Sequence, residues 1–420
     1  MLKNLIVLAG SACAASAGAQ SSITVFGVVD AGVSHYETKS ATYGVANSLN
    51  PSTVKQSQNV LSPSGLSSSR LGFRGTEDLG GGLAASFWLE APLSNDTGGG
   101  VANFGRRSTL SLNGPFGEVR MGRDYTASFW NDAVFDPMTV NGVGTNLIAV
   151  VNSNIAASRA LATGGLLNGG LSAGTDSYLR TSNSIGYFLP SNLGGFYGQV
   201  QYAFPENIKG LPATAAATTG QRGRYVGTRG GWASGAFDVA LGYGESTVAD
   251  TSTYKEVIKT INLGASYDFG VAKLFGELSR VKDDMQRLPG ATNPRVNDRY
   301  NAAMFGVTVP VGVGLFRMSY ANVKFDSGAN MPVSPYAPNA DASTSKIALS
   351  YVHNLSKRTA LYASVARMRM RDAHNNPTVM GVTPLVLSLP AIFPQPSYIT
   401  TGGFEPKSAM GYDFGIRHAF

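Results

Sequence analysis

The chain has 420 residues, of which 14% are charged, a formal net charge of +7 and 51 glycines. About a quarter of the residues of a soluble domain are charged, so this composition argues against an ordinary soluble enzyme. No stretch reaches the roughly 18 apolar residues that a membrane helix needs. Eighteen tyrosines and 20 phenylalanines without a long apolar run fit alternating apolar and polar positions, the signature of a membrane β-barrel. A soluble all-β array is the alternative that composition leaves open.

At the N-terminus, Lys3 precedes an apolar stretch from Leu5 to Ala15, and Ala17-Gly18-Ala19 forms an A-x-A cleavage site. Residues 1–19 are therefore expected to be a signal peptide and the mature chain, 20–420, to begin at Gln20. Cys13, the only cysteine, lies in this leader. Gly10 stands where a lipid-attachment motif wants leucine, which speaks against lipidation. The mature chain then has neither a disulfide nor thiolate chemistry. Loss of Lys3 lowers the formal charge from +7 to +6. The chain has no run of Lys or Arg, so nucleic acid is not an expected partner.

Sixteen segments alternate as strands: 22–34, 66–77, 82–92, 105–113, 117–123, 178–189, 195–204, 223–234, 236–246, 257–268, 270–282, 299–309, 313–325, 343–354, 358–370 and 408–420. Their connections alternate in length. Short ones, such as Glu77 to Gly81, Ser234-Gly235 and Pro310-Val311-Gly312, are rich in Gly, Pro and Asn, as tight hairpins require. Long ones cover about 35–65, 93–104, 124–177, 205–222, 247–256, 283–298, 326–342 and 371–407. This is the order of an up-and-down barrel with short periplasmic turns and longer external loops. An even strand number places both termini in the periplasm. Crossovers in a soluble sandwich have no reason to alternate so.

The faces follow from cost. A charged side chain at mid-bilayer on the lipid face costs about 2–4 kcal/mol. In the last strand Asp413 and Arg417 must therefore face the lumen, and Tyr412, Phe414 and Ile416 the lipid. In the first strand Ile23, Val25, Val29 and Val33 point out, and Thr24 and Asp30 point in. A one-residue slip would reverse every side chain, so register is strongly specified. In 358–370, Arg367 and Arg369 share a face with Leu361 and Val365; either the lumen or a position above the membrane satisfies them.

Several stretches resemble the general porins of betaproteobacteria, most closely the anion-selective members. They are Ser21 to Asp30 (SSITVFGVVD), Ser69 to Leu83 (SRLGFRGTEDLGGGL), Arg106 to Leu112 (RRSTLSL), Phe116 to Arg123 (FGEVRMGR), Leu263 to Leu274 (LGASYDFGVAKL), Tyr351 to Tyr362 (YVHNLSKRTALY) and Gly415 to Phe420 (GIRHAF). The resemblance implies a 16-stranded antiparallel transmembrane β-barrel in the Gram-negative outer membrane. It also implies a homotrimer and a third external loop, about 124–177, folded inward as the constriction. Asn146 to Leu161 has helical character and is expected to form a short helix there. Phe420 resembles the outer-membrane assembly signal.

In the similar anion-selective porins, arginines near the constriction carry function, and Arg70, Arg106 and Arg180 match them by position. Parity places Arg70 and Arg74 inward, opposite Leu71 and Phe73, and Arg180 inward on the face of Ser182 and Ser184. Counting back from Leu112 puts Arg107 inward and Arg106 outward, but a bulge or the strand end would reverse that, so both stand as candidates for the lumenal face. Rings of Arg or Lys are a known device of anion pores. Acids on the inward loop would oppose them. From Tyr125 to Ser177 these are Asp132, Asp136 and Asp176, with Asp124 at the root and no Glu. The expectation is a pore for small hydrophilic solutes, preferring anions. No cofactor or metal is expected. The four histidines, His35, His353, His374 and His418, do not converge in this topology, and no G-x-S-x-G is present, which speaks against an outer-membrane hydrolase. A barrel with a plugged lumen is the third possibility.

Overall fold

The computed structural model describes residues 22–43, 51–101, 103–162, 178–205, 220–250, 254–287, 296–328, 341–380 and 398–420; the expected leader, 1–19, lies outside them. Sixteen strands make the wall: β1 Ser22–Thr42, β2 Arg70–Gly80, β3 Leu83–Ser94, β4 Arg107–Gly114, β5 Gly117–Tyr125, β6 Arg180–Phe188, β7 Phe196–Ala203, β8 Tyr225–Ser234, β9 Phe237–Asp250, β10 Tyr254–Asp268, β11 Lys273–Arg287, β12 Val296–Val311, β13 Gly314–Asp326, β14 Ser343–Asn354, β15 Thr359–Arg371 and β16 Phe404–Ala419. Neighbours pair antiparallel, and β16 returns to β1 from Val28↔Ala419 to Thr42↔Phe404. Closure removes the edge that lipid could not satisfy. Phe420 ends the chain on this seam, where its N–H donates to the Gly27 carbonyl and the Gly27 N–H donates back, both at 3.0 Å.

The faces sort as the cost argument requires. Ile23 is 71% and Phe414 63% exposed, whereas Asp30 and Asp413 are 0% and 2% exposed. The turn Gly80 to Gly82 has φ of +80°, +62° and +80°, a path that residues with a Cβ rarely take. Strands run beyond their expected ends on the external side: β1 continues to Thr42 and β9 to Asp250. Above the membrane the hydropathy alternation fades while the hydrogen-bonded ladder goes on.

One feature departs from the sequence reading, and a second decides between two orientations that it leaves open. The expected long connection 35–65 is largely strand: Gly32 to Ala41 of β1 pairs with an extra strand, Thr53–Ser62, while Ser22 to Val28 pairs with β2. Residues 63–69 leave the sheet between them. The Asp30 carboxylate holds them, accepting from the N–H groups of Leu66 (2.9 Å) and Ser67 (2.6 Å) and from the Tyr362 hydroxyl (2.6 Å). Second, Arg367 and Arg369 point outward together with Arg371, all exposed, and Ala366, Met368 and Met370 point inward, buried.

The connection from β5 to β6 enters the barrel. Thr126 caps α1 (Ala127–Val134), its hydroxyl accepting from the Phe129 N–H at 3.2 Å. The helix lies on β8–β10, where Asn131 Nδ2 donates to the Ala240 and Asn262 carbonyls at 3.2 and 3.3 Å. Glycines make room on that wall: a Cβ at Gly264 would collide with the Phe135 ring. The loop then reaches β16, β14 and the 63–69 excursion. The Val143 N–H donates to Asp413 at 2.7 Å, Lys346 Nζ to the Thr145 carbonyl at 2.6 Å, and Ser68 Oγ to Asn141 Oδ1 at 2.8 Å. Asn146 Oδ1 accepts from the Ile148 N–H at 2.9 Å at the start of α2 (Leu147–Ala162). This helix buries Leu147, Ile148, Val151 and Ile155 against Val281, Met304, Val323, Phe325 and Met370, inward residues of β11–β13 and β15. Each such side chain stabilises the docked loop by about 1.5–3 kcal/mol. The inner wall there is apolar rather than polar because it meets a helix, not water. Residues 163–177 lie outside the described residues.

Candidate functional site

With the loop packed along β8–β16, the open passage is bounded on its other side by β2–β6. This wall gathers arginines from four strands and one strand end. Arg106 N–H donates to the Glu90 carbonyl at 3.1 Å. The side chain then turns in, with Nε 2.5 Å from Glu90 Oε1. Parity does not bind Arg106 because it precedes β4. Arg107 is inward by alternation, on the face of buried Thr109 and Ser111. Its Nε donates to Thr109 Oγ1 at 3.2 Å and lies 3.6 Å from Asp124. Both arginines of the pair thus lie on the lumenal side.

Arg70 points inward, with Nε 3.7 Å from Glu90 Oε1 and Nη1 donating to the Ser68 carbonyl at 3.0 Å. Arg74 sits two positions further along the same face. Its guanidinium lies 5.4 Å from the Phe26 ring centre and 5.3 Å from that of Trp88, while Arg107 covers Trp88 at 4.6 Å. Aromatic faces attract guanidinium groups without neutralising them. Trp88 Nε1 in turn donates to Glu90 at 3.2 Å.

Arg180 reaches the same cluster by a route that strand counting does not follow. The β5–β6 register shifts between Gly122 and Asp124, opposite Ser184 and Thr181, and Asn183 has φ +53°. This extra residue is a bulge, which breaks alternation. Arg180 is instead placed by Tyr125: Nη2 donates to the Tyr125 hydroxyl at 3.1 Å, and Cζ lies 4.6 Å from the ring centre. The same hydroxyl accepts from Arg106 Nη2 at 3.3 Å. Arg70, Arg106 and Arg180 therefore meet through Glu90 and Tyr125.

Glu90, Tyr125 and Arg120 were not legible as site members from motif matching alone. Glu90 had one signal: it lies two residues from Trp88 in an expected membrane strand, and a carboxylate there must face the lumen. Arg120 donates to both Glu118 oxygens at 2.8 Å and to Asp124 at 2.6 Å, and stacks 3.9 Å from the Phe188 ring centre. The arginines named on this wall, Arg70, Arg74, Arg106, Arg107, Arg120 and Arg180, number six. Glu90, Glu118 and Asp124 number three, leaving three positive charges in excess.

The loop acids do not offset this excess. Asp132 and Asp136 are 0% and 3% exposed and turn into the seam between loop and wall. The Tyr178 hydroxyl donates to Asp132 at 2.5 Å, and Asn262 donates to its other oxygen. Asp136 accepts from the N–H groups of Met138 (2.9 Å) and Val140 (2.8 Å). Burial raises both carboxyls above the ordinary carboxylate range, and burial raises the Tyr178 phenol well above its own. Asp176 lies outside the described residues. Among the described residues no group of three or more His, Cys, Asp or Glu could hold a metal ion.

Comparison with known proteins agrees with this geometry. The family model described as Gram-negative porin matches residues 5–373. Outer membrane porin protein 32 of Delftia acidovorans is 35% identical over 426 aligned positions, covering all of both chains. An outer membrane porin protein of Bordetella pertussis is 27% identical over 85% of this chain and 91% of its own. Among solved structures, the anion-selective porin from Comamonas acidovorans superposes with a TM-score of 0.68 at 34% identity, covering 96% of this chain and 100% of its own. OmpT of Vibrio cholerae, solved in a trimer form, shares the fold alone at 13% identity, with a TM-score of 0.56 over 95% of this chain and 99% of its own. A closed 16-stranded wall, a loop folded into it and full-length similarity converge: the chain is an outer-membrane channel protein rather than an enzyme, and it belongs to the Gram-negative porin family.

Proposed function

We propose that this porin passes small hydrophilic solutes by passive diffusion with a preference for anions, and that Arg70, Arg74, Arg106, Arg107 and Arg180 set the preference. The observation that carries this is the excess of arginine over carboxylate on the β2–β6 wall, opposite a loop whose Asp132 and Asp136 are buried. A narrow passage strips part of an ion's hydration shell. Planar guanidinium donors replace those hydrogen bonds for carboxylate and phosphate and stay charged at any physiological pH. Low-dielectric walls focus the field. The anion selectivity of the similar Comamonas porin supports the same reading. The working unit is proposed to be a homotrimer, with residues 1–19 removed on export and Phe420 serving as the assembly signal. The test is the reversal potential of the purified protein in planar bilayers under a KCl gradient. Its sign is expected to report chloride over potassium; the opposite sign would overturn the selectivity assignment.

A further inference from the structure

Outside the conduction path, the outer wall carries a second cationic cluster. Arg367, Arg369 and Arg371 of β15 alternate outward and are exposed, as is Lys324 of β13. Register sets them in one patch. Lys324 and Arg371 flank Ser343, Arg369 lies between Ser345 and Ser408, and Arg367 lies between Ile347 and Met410. Adjacent strands lie about 4.8 Å apart and a residue advances about 3.4 Å, so four cations share about 10 by 14 Å. At two other places on the outer wall a cation meets an acid of the chain: Lys282 lies 3.3 Å from Asp284, and Arg299 3.9 Å from Asp326. Among the described residues none of the four cations lies within ion-pair distance of a carboxylate.

Height and surroundings identify the counter-ion. With strands tilted about 40°, Arg367, eight residues above the start of β15, stands about 20 Å above the periplasmic boundary, and Arg371 about 30 Å. These levels bracket the external limit of an apolar band about 25 Å tall. Directly below, the outward face becomes apolar through Leu349, Val365 and Tyr412. Like charges side by side are unfavourable unless an anion bridges them. A free anion would need the cations alone; here they sit on top of a surface for acyl chains. We propose that this patch binds a phosphorylated, multiply acylated glycolipid of the outer leaflet, its phosphates on Arg367, Arg369, Arg371 and Lys324 and its chains along Leu349 and Val365. A second copy of the chain suits the patch less well, because Glu37, Glu245, Asp284 and Asp326 on the outer wall already sit beside a lysine or arginine.

The test uses the full, detergent-purified, delipidated protein titrated with bis-phosphorylated lipid A and read by native mass spectrometry. Each interfacial cation changes affinity about fivefold, so R367Q/R369Q/R371Q is expected to weaken binding at least tenfold, and dephosphorylated lipid A to bind the parent protein equally poorly. R369Q alone, an exposed single change, should weaken binding about fivefold if the triple variant fails to assemble. Inorganic phosphate at matched concentration should not displace the lipid; full displacement would assign the patch to a free anion and overturn the proposal. So would unchanged lipid affinity in either variant, and so would dissociation of the oligomer with lipid affinity retained, which would make the patch a subunit contact. Single-channel conductance of R369Q is expected to match the parent because the side chain does not face the lumen.

Discussion

Arg106 and Glu90 allow a test of selectivity in which charge and packing separate. Their side chains are 14% and 11% exposed and 2.5 Å apart, so each shapes the field in the passage. A monovalent ion passing about 5 Å from a unit charge feels about 0.8 kcal/mol in a medium as polar as water. Salt at 0.1 M, with a screening length of about 10 Å, reduces this to about 0.5 kcal/mol. An anion loses that amount and a cation gains it when one positive charge is removed. Arg106→Gln should therefore lower the anion-to-cation permeability ratio by about fivefold. Glu90→Gln should raise it by a similar factor, because Arg70 and Arg106 lose their counter-charge. The double variant restores the excess of three and should return near the parent value. Reversal potentials under a tenfold KCl gradient read all four proteins. Equal reversal potentials across the set would refute the reasoning, as would a double variant that resembles either single one.

Other consequences concern the loop and the seam. Gly264→Val places a side chain where the Phe135 ring lies and should displace α1 at a cost of about 1–3 kcal/mol, seen as changed conductance with greater current noise; parent-like traces would mean that α1 is not held there. Burial raises the Asp132 carboxyl above its unfolded value of 3.8, so the stability it contributes to the docked loop is full below that value and is lost as pH rises through the raised one. Loop-closure noise in single-channel traces should therefore increase as pH rises above 3.8, and less so in Asp132→Asn, where Tyr178 and Asn262 meet an amide; an identical pH profile would remove Asp132 from the anchoring. Phe420→Ala keeps the backbone bonds to Gly27 but should lower the yield of assembled barrel in cells, measured as heat-modifiable protein in the outer membrane. N-terminal sequencing of that protein is expected to begin at Gln20.

The strands were legible because two local rules act on every residue of a lipid-facing wall. Side chains alternate with period two, and charge in hydrocarbon is costly. Ile23 to Val33 and Met410 to Phe420 could not slip by one residue without placing Asp30 or Asp413 in lipid. These rules fade where lipid ends, which is why the extra strand Thr53–Ser62 and the outward turn of Arg367 and Arg369 were not legible. The inward loop came from resemblance, and its docking is long-range: Asn131 bonds to Asn262, and Asn146 to Glu277 at 2.8 Å.

For the site the division is similar. Sequence alone determined that Arg70 and Arg74 share the lumenal face of a strand, since alternation and the position of Leu71 and Phe73 leave no other orientation. It could not determine how the arginines meet. Arg106 turns inward because β4 begins one residue later and Glu90 waits on the neighbouring strand. Arg180 arrives through a bulge at Ser182 and Asn183 that reverses any count from Ile185, and Tyr125 receives it beside Arg106. Alternation is a property of neighbouring peptide units and is written into any short stretch of chain. A cluster of like charges around one carboxylate and one phenol exists only when five strands have closed on it.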